Sequence, residues 1–152
     1  MEEGSVVEFQ QAAVTMAFTV LGGVAVFVVG QVLLKVVLEP VQGLRMLIGE
    51  VADDLVFHSN VFANPGAHSP EREMESSLVL RQRATQLAAR AHLVPHYRVW
   101  AYLGIVPSLS NIAIAREGLV YLSNAVSGGD PDTNLDKRDV VQEALRIRDE
   151  LR

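Results

Sequence analysis

The chain contains no cysteine. Disulfides, thiolate catalysis and cysteine-ligated metals are thereby excluded, although a cysteine-free chain suits reducing and oxidising compartments equally. Positive charge is also in short supply: 13 Lys and Arg stand against 18 Asp and Glu, for a net charge of −5. Nucleic-acid binders carry a basic face or stripe, so DNA and RNA are not expected as partners. Aromatic residues make up 6% of the chain and include a single Trp. The short strings that announce chemistry are missing as well. There is no G-x-S-x-G elbow, no G-x-x-x-x-G-K-[ST] phosphate loop and no G-x-G-x-x-G turn. No internal repeat or low-complexity tract is present, and no cofactor is expected.

What the chain does have is an uncharged apolar block from Ala12 to Leu34. Taken from Ala13, this run at 1.5 Å per residue is about as long as the ~30 Å hydrocarbon core of a bilayer. Two other readings compete with a transmembrane helix. A secretory signal peptide needs a basic start and a small-x-small cleavage site, but MEEGSVVEFQQ carries no Lys or Arg and the apolar run continues past Lys35. A buried core helix is the other rival, and uncharged apolar runs of 18 or more residues rarely serve as one. The expectation is therefore a short non-cytoplasmic tail over 1–12 and a single-pass transmembrane helix over 13–38. Lys35 and Arg45 lie on the C-terminal side of the span, which favours a cytoplasmic C-terminal domain in the inner (plasma) membrane.

Within the span, Thr15, Thr19 and Gly23 recur every four residues. They form a small-residue stripe along which a second helix can approach, and the amide of Gln31 is a further seeker of partners in hydrocarbon. Helix-helix contact in the membrane is thus assigned to Thr15, Thr19, Gly23 and Gln31. The competing reading is that the Thr hydroxyls bond back to their own helix.

The remainder reads as three to four amphipathic helices, with a helical domain over 39–127 and a linker plus C-terminal helix over 128–152. Pro40 predicts a kink or a new helix. From Val41 to Phe62, the residues Leu44, Leu47, Ile48, Val51, Leu55 and Phe62 follow helical spacing. Asn64–Pro65–Gly66 breaks the pattern, and a second helix runs from Glu71 to about Val94, with Leu80, Ala84, Leu87, Ala88 and Ala91 inside. Between Pro95 and Pro107 a loop or short helix is expected, since no second strand exists to pair with this segment. Ser108 or Ser110 caps a third helix bearing Leu109, Ile112, Ala115, Leu119, Leu122 and Val126, which Gly128–Gly129 closes. Asp136 is expected to cap the last helix, with Val140, Ala144, Ile147 and Leu151 along one side.

Candidate chemistry is sparse. His92 and His96 have the i, i+4 spacing of paired metal ligands, but Pro95 interrupts the helix between them and no accompanying glutamate is present. His58 lies one turn from Asp54, which allows an Asp–His bond or merely a polar helix edge. Glu71, Glu73 and Glu75 read as a solvated helix N-terminus. Tyr97, Arg98, Trp100 and Tyr102 gather into six residues, and these types suit a membrane–water interface, a protein interface or a core corner with internally satisfied polar tips.

Leu38–Glu39–Pro40, Ile48–Gly49–Glu50, Pro95, Tyr97, Pro107–Ser108 and Leu122–Ser123–Asn124 together resemble a group of short bacterial single-pass membrane proteins of unassigned activity. That likeness implies a membrane anchor and no particular reaction. Glu39–Pro40–Val41 followed by Leu44 is similar to the first helix of a HAMP signalling linker, although no second span is present. The sequence therefore points to an all-α, membrane-anchored interaction or scaffold protein. Membrane lipid and either a second copy or another membrane protein would be its partners. The alternatives are a HAMP-like signalling relay, or an enzyme at the membrane surface using His92, His96 and Arg98.

Overall fold

Apolar side chains at helical spacing dominate this sequence, and helix is what they form. The computed structural model describes residues 2–147, is all-helical and has no strand among the described residues. In chain order come α1 (Glu2–Leu33), a π-helical segment (Leu34–Leu38), α2 (Glu39–Phe57), α3 (Ser59–Ala63), α4 (Pro70–Leu93), α5 (Tyr97–Tyr102), α6 (Leu109–Ala125) and α7 (Pro131–Leu145). The chain divides into two compact units, with the boundary between Glu39 and Pro40.

The first unit is a single apolar helix. It begins at Glu2 rather than near Ala13, because the leading residues contain no proline to stop it. From Val14 onward its large side chains are exposed: Val26 is 74% exposed, and Val14, Phe18, Leu21 and Phe27 are exposed as well. It ends in the π segment, where the Glu39 amide donates to the Leu34 carbonyl five residues back. Pro40 explains the wider turn, since its ring crowds the carbonyl four residues upstream and it has no N–H to offer.

The second unit holds the core. On α2, Leu44, Leu47, Val51 and Leu55 are fully buried, one per turn. The helix expected from Val41 to Phe62 is interrupted at His58, so Phe62 reaches the core from the separate short helix α3. Three bonds, two to α2 and one to His58 just after it, fix α4 antiparallel to α2. Arg90 Nη1 donates to the Gly43 carbonyl at 2.7 Å, Arg83 Nε meets Asp54 at 2.6 Å, and Ser76 Oγ lies 2.8 Å from His58 Nδ1. Their order along the two helices runs in opposite directions. Next, α4 packs on α6 and α6 on α7. Gly118 permits the second contact to be close, because a Cβ there would collide with Val141 Cγ2.

Helix starts follow their caps. Ser69 accepts from the Arg72 amide ahead of Pro70, and Ser108 accepts from the Asn111 amide at 3.2 Å. The last helix starts earlier than expected, at Pro131, and Asp136 lies inside it rather than capping it. Asp130 is the cap, its carboxylate accepting from the Thr133 amide at 2.9 Å and the Thr133 hydroxyl at 2.7 Å. Asp130–Pro131 wins because proline at the first helical position arrives with its φ already set and gives up no ladder bond. The inward side accordingly shifts: Val141, Ala144 and Leu145 are buried, Val140 is exposed and Ile147 is partly covered. Leu151 lies outside the described residues.

Candidate functional site

Two groups of residues carry the expected interaction surfaces, one in each unit. On α1, the Thr15 hydroxyl donates to the Gln11 carbonyl at 2.8 Å and the Thr19 hydroxyl to the Thr15 carbonyl at 2.9 Å. Both hydroxyls are thus satisfied within their own helix, and what they offer a neighbour is small size rather than a free donor. A Cβ added at Gly23 would meet nothing. At about 100° per residue, Gly23 lies about 80° around the helix from Thr15 and Gln31 about 80° further. Thr15, Thr19 and Gly23 thus fall within one stripe of about 80°, with Gln31 about 160° from Thr15. Gln31 belongs with Phe27, Val28, Val32, Lys35 and Val36, which line a shallow groove of 460 Å³.

The aromatic cluster sits in the second unit, where α4 ends and α5 turns back. Val94 leaves the helix extended, and His96 adopts a left-handed conformation at φ 50 before α5 begins. That turn points the four residues in two directions. Tyr97 is 8% exposed and its hydroxyl donates to the Pro107 carbonyl at 2.8 Å. Burial pushes its pKa up to about 12. Trp100 packs against the core and its indole N–H donates to the Pro95 carbonyl at 3.1 Å. Arg98 is exposed, and Tyr102 is 91% exposed. Tyr97 and Trp100 thus tie α5 down, while Arg98 and Tyr102 share its outward side with Val99.

Other titratable groups serve the fold. His58 is buried, and because the Ser76 hydroxyl proton is directed to the Arg72 carbonyl at 2.9 Å, His58 Nδ1 donates to Ser76 Oγ. The Asp54 carboxylate, one turn before His58, instead takes Arg83, which also meets Glu50. This arrangement holds the Arg83 pKa above its ordinary value, the Asp54 hydrogen bond being the main cause. His92 lies in the last turn of α4 and His96 beyond the break. Among the described residues, no group of three His, Asp or Glu is placed to hold a metal ion. Glu71 and Glu75 are exposed at the start of α4. Glu71 is held below the usual carboxylate range, mainly by a backbone hydrogen bond and also by Ser69. A cleft of 720 Å³ brings Arg45 of α2 together with Arg146 at the end of α7, alongside Ile105 and Pro107.

One pattern escapes a residue-by-residue search of the sequence. From Ser76 to Arg116 there is no Asp or Glu, whereas Arg81, Arg83, Arg90, Arg98 and Arg116 all fall within that run. The net negative charge of the whole chain conceals it, and only a windowed count of acids would have found it. No protein-family model, characterised protein or solved structure significantly matches the chain.

Proposed function

We propose that this protein is a membrane-anchored helical interaction or scaffold protein, in which α1 crosses the inner membrane once and presents the second unit on the cytoplasmic side to a partner protein or a second copy. The observation that carries this reading is the bare apolar surface of Ala13–Leu34. One helix among the described residues is long and apolar enough to cross a membrane, and its most apolar window has none of its residues buried. Fully removing a large apolar side chain from water is worth roughly 1.5–3 kcal/mol. More than a dozen such side chains left in water would cost tens of kcal/mol on the same scale, far beyond the stability of a small domain. A core helix of a soluble protein would have found its cover within the fold.

Lys35 and Arg45 after the span, with no Lys or Arg before it, support the cytoplasmic placement of the second unit. The absence of cysteine makes the test direct. Ser5→Cys should react with a membrane-impermeant maleimide in intact spheroplasts, and Ala89→Cys only after lysis. The reverse labelling would invert the topology. Recovery of the folded full-length chain in the aqueous fraction after detergent-free lysis would remove the anchor altogether.

A further inference from the structure

The antiparallel pairing of α2 and α4 determines which end of the second unit carries the α4–α5 corner. Arg90 is bonded to the Gly43 carbonyl at 2.7 Å. Three residues beyond Arg90 along α4 is Leu93, and three residues before Gly43 along α2 is Pro40, about 4.5 Å in each case. Leu93 is therefore level with Pro40, where the chain enters from the apolar helix. Val41, Val94 and Tyr97 belong to the same buried cluster, which keeps α5 at this end. The chain therefore enters the second unit at the end that carries the corner, six residues after Leu34.

The corner has the composition such a surface demands. Leu93 is 69% exposed, Leu103 59%, Val99 54% and Tyr102 91%, an unusual number of large apolar side chains left open on so short a stretch. Arg98, His92 and His96 are interspersed with them, and the segment lies wholly within the acid-free run. A protein-binding face is usually a packed core of contacts with mixed charge at the rim. Here exposed apolar side chains flank Arg98 and two histidines in a stretch of chain without any acid, which complements an anionic headgroup layer above acyl chains.

We propose that Leu93, Arg98, Val99, Tyr102 and Leu103 form a docking face for anionic phospholipid, holding the α4–α5 corner on the bilayer surface. This rests on the anchored reading above and adds a second contact with the same membrane. Val99, Tyr102 and Leu103 enter the boundary between headgroups and chains, and Arg98 pairs with lipid phosphate. Trp100 sits directly behind the face and is the only Trp in the chain, so the protein carries its own reporter.

The experiment reconstitutes the full chain into vesicles of phosphatidylcholine alone or mixed equally with phosphatidylglycerol. It then measures quenching of Trp100 by brominated acyl chains. Flotation of the same samples reports the anchor independently. The expected result is that all samples float and that quenching is strong only with phosphatidylglycerol. Arg98→Ala should lower the docked-to-free ratio about fivefold, the effect of one basic residue near an anionic surface. Val99→Glu and Tyr102→Glu should abolish docking, and because both side chains are exposed, helical circular dichroism should be unchanged. Flotation with Trp100 unquenched in both vesicle types would overturn docking and leave the anchor standing. Quenching that ignores both phosphatidylglycerol and Arg98→Ala would overturn recognition of anionic lipid. Tyr102→Cys crosslinking efficiently to a second copy in the vesicle would reassign the face to self-association. Failure to float would overturn the anchor and the docking face with it.

Discussion

Tyr97 ties the short helix α5 to the core through one hydroxyl, 2.8 Å from the Pro107 carbonyl. Replacing it with Phe should cost about 1 kcal/mol at neutral pH, the usual net worth of such a bond. Its titration gives a second handle. An unfolded tyrosine loses its proton near pH 10, while burial raises Tyr97 to about 12. Between those values the unfolded chain binds fewer protons than the folded one, so stability falls as pH rises from 10 to 12. Urea melts across that window should show a steeper decline for the native chain than for Tyr97→Phe. A second residue-scale expectation concerns His58. Ser76→Ala would leave its buried Nδ1 proton without an acceptor, at a cost of about 1–3 kcal/mol by the same assay. The sequence offers no means of finding this pair. Asp54, one turn before His58, is the obvious local partner, and only the packing of α4 on α2 shows that Arg83 takes Asp54 while Ser76 takes His58. Side chains far apart along the chain meet by tertiary geometry, which periodicity does not encode.

Helices were more readable than residues. The spacing of Leu44, Leu47, Val51 and Leu55, and of Ile112, Ala115, Leu119 and Leu122, identifies faces that are buried in the structure. Of the two serines expected to cap this helix, Ser108 is the one that does. Two boundaries were harder. The π segment before Pro40 depends on how the chain relieves a proline clash, and α7 is shifted because Asp130–Pro131 outcompetes Asp136 as a starting point. The α6–α7 contact provides the test at this scale. In an isolated helix Gly118→Ala would gain up to ~1 kcal/mol. Here the new methyl would meet Val141 Cγ2 on a stiff, branched side chain. A net loss of about 1–3 kcal/mol is expected, as for other overpacked sites. Val141→Ala in the same chain should recover part of it, which thermal melts of the single and double variants would show. Acid should loosen the start of α7 in its own way. Thr133 holds the Asp130 carboxylate below its ordinary pKa of 3.8. Its contribution is present above that value and is lost as pH falls through the lowered one, so the protection factor of the Thr133 amide against exchange should fall in that range.

At the scale of the molecule, the two units differ in how they treat apolar surface. The unit starting at Pro40 has a core of buried leucines and valines, whereas none of the described leucines and valines of the unit ending at Glu39 is buried. Removing residues 1–38 should therefore yield a chain that stays soluble without detergent and unfolds cooperatively, while the full chain needs lipid or detergent. Gel filtration and circular dichroism of the two would check this. The apolar run itself was legible from composition, since twenty or so uncharged residues in a row have no other common use. The division of the aromatic cluster was not legible, because the left-handed turn at His96 decides which rings face inward.

Packing in the second unit passes mainly between helices that are near in the chain, α4 to α6 and α6 to α7. Domains wired in this manner close in microseconds to milliseconds, whereas a ribosome adds about 5–20 residues each second. Once every helix of the unit is outside the ribosome, α7 therefore closes Gly118 against Val141 in less time than one peptide bond takes to form.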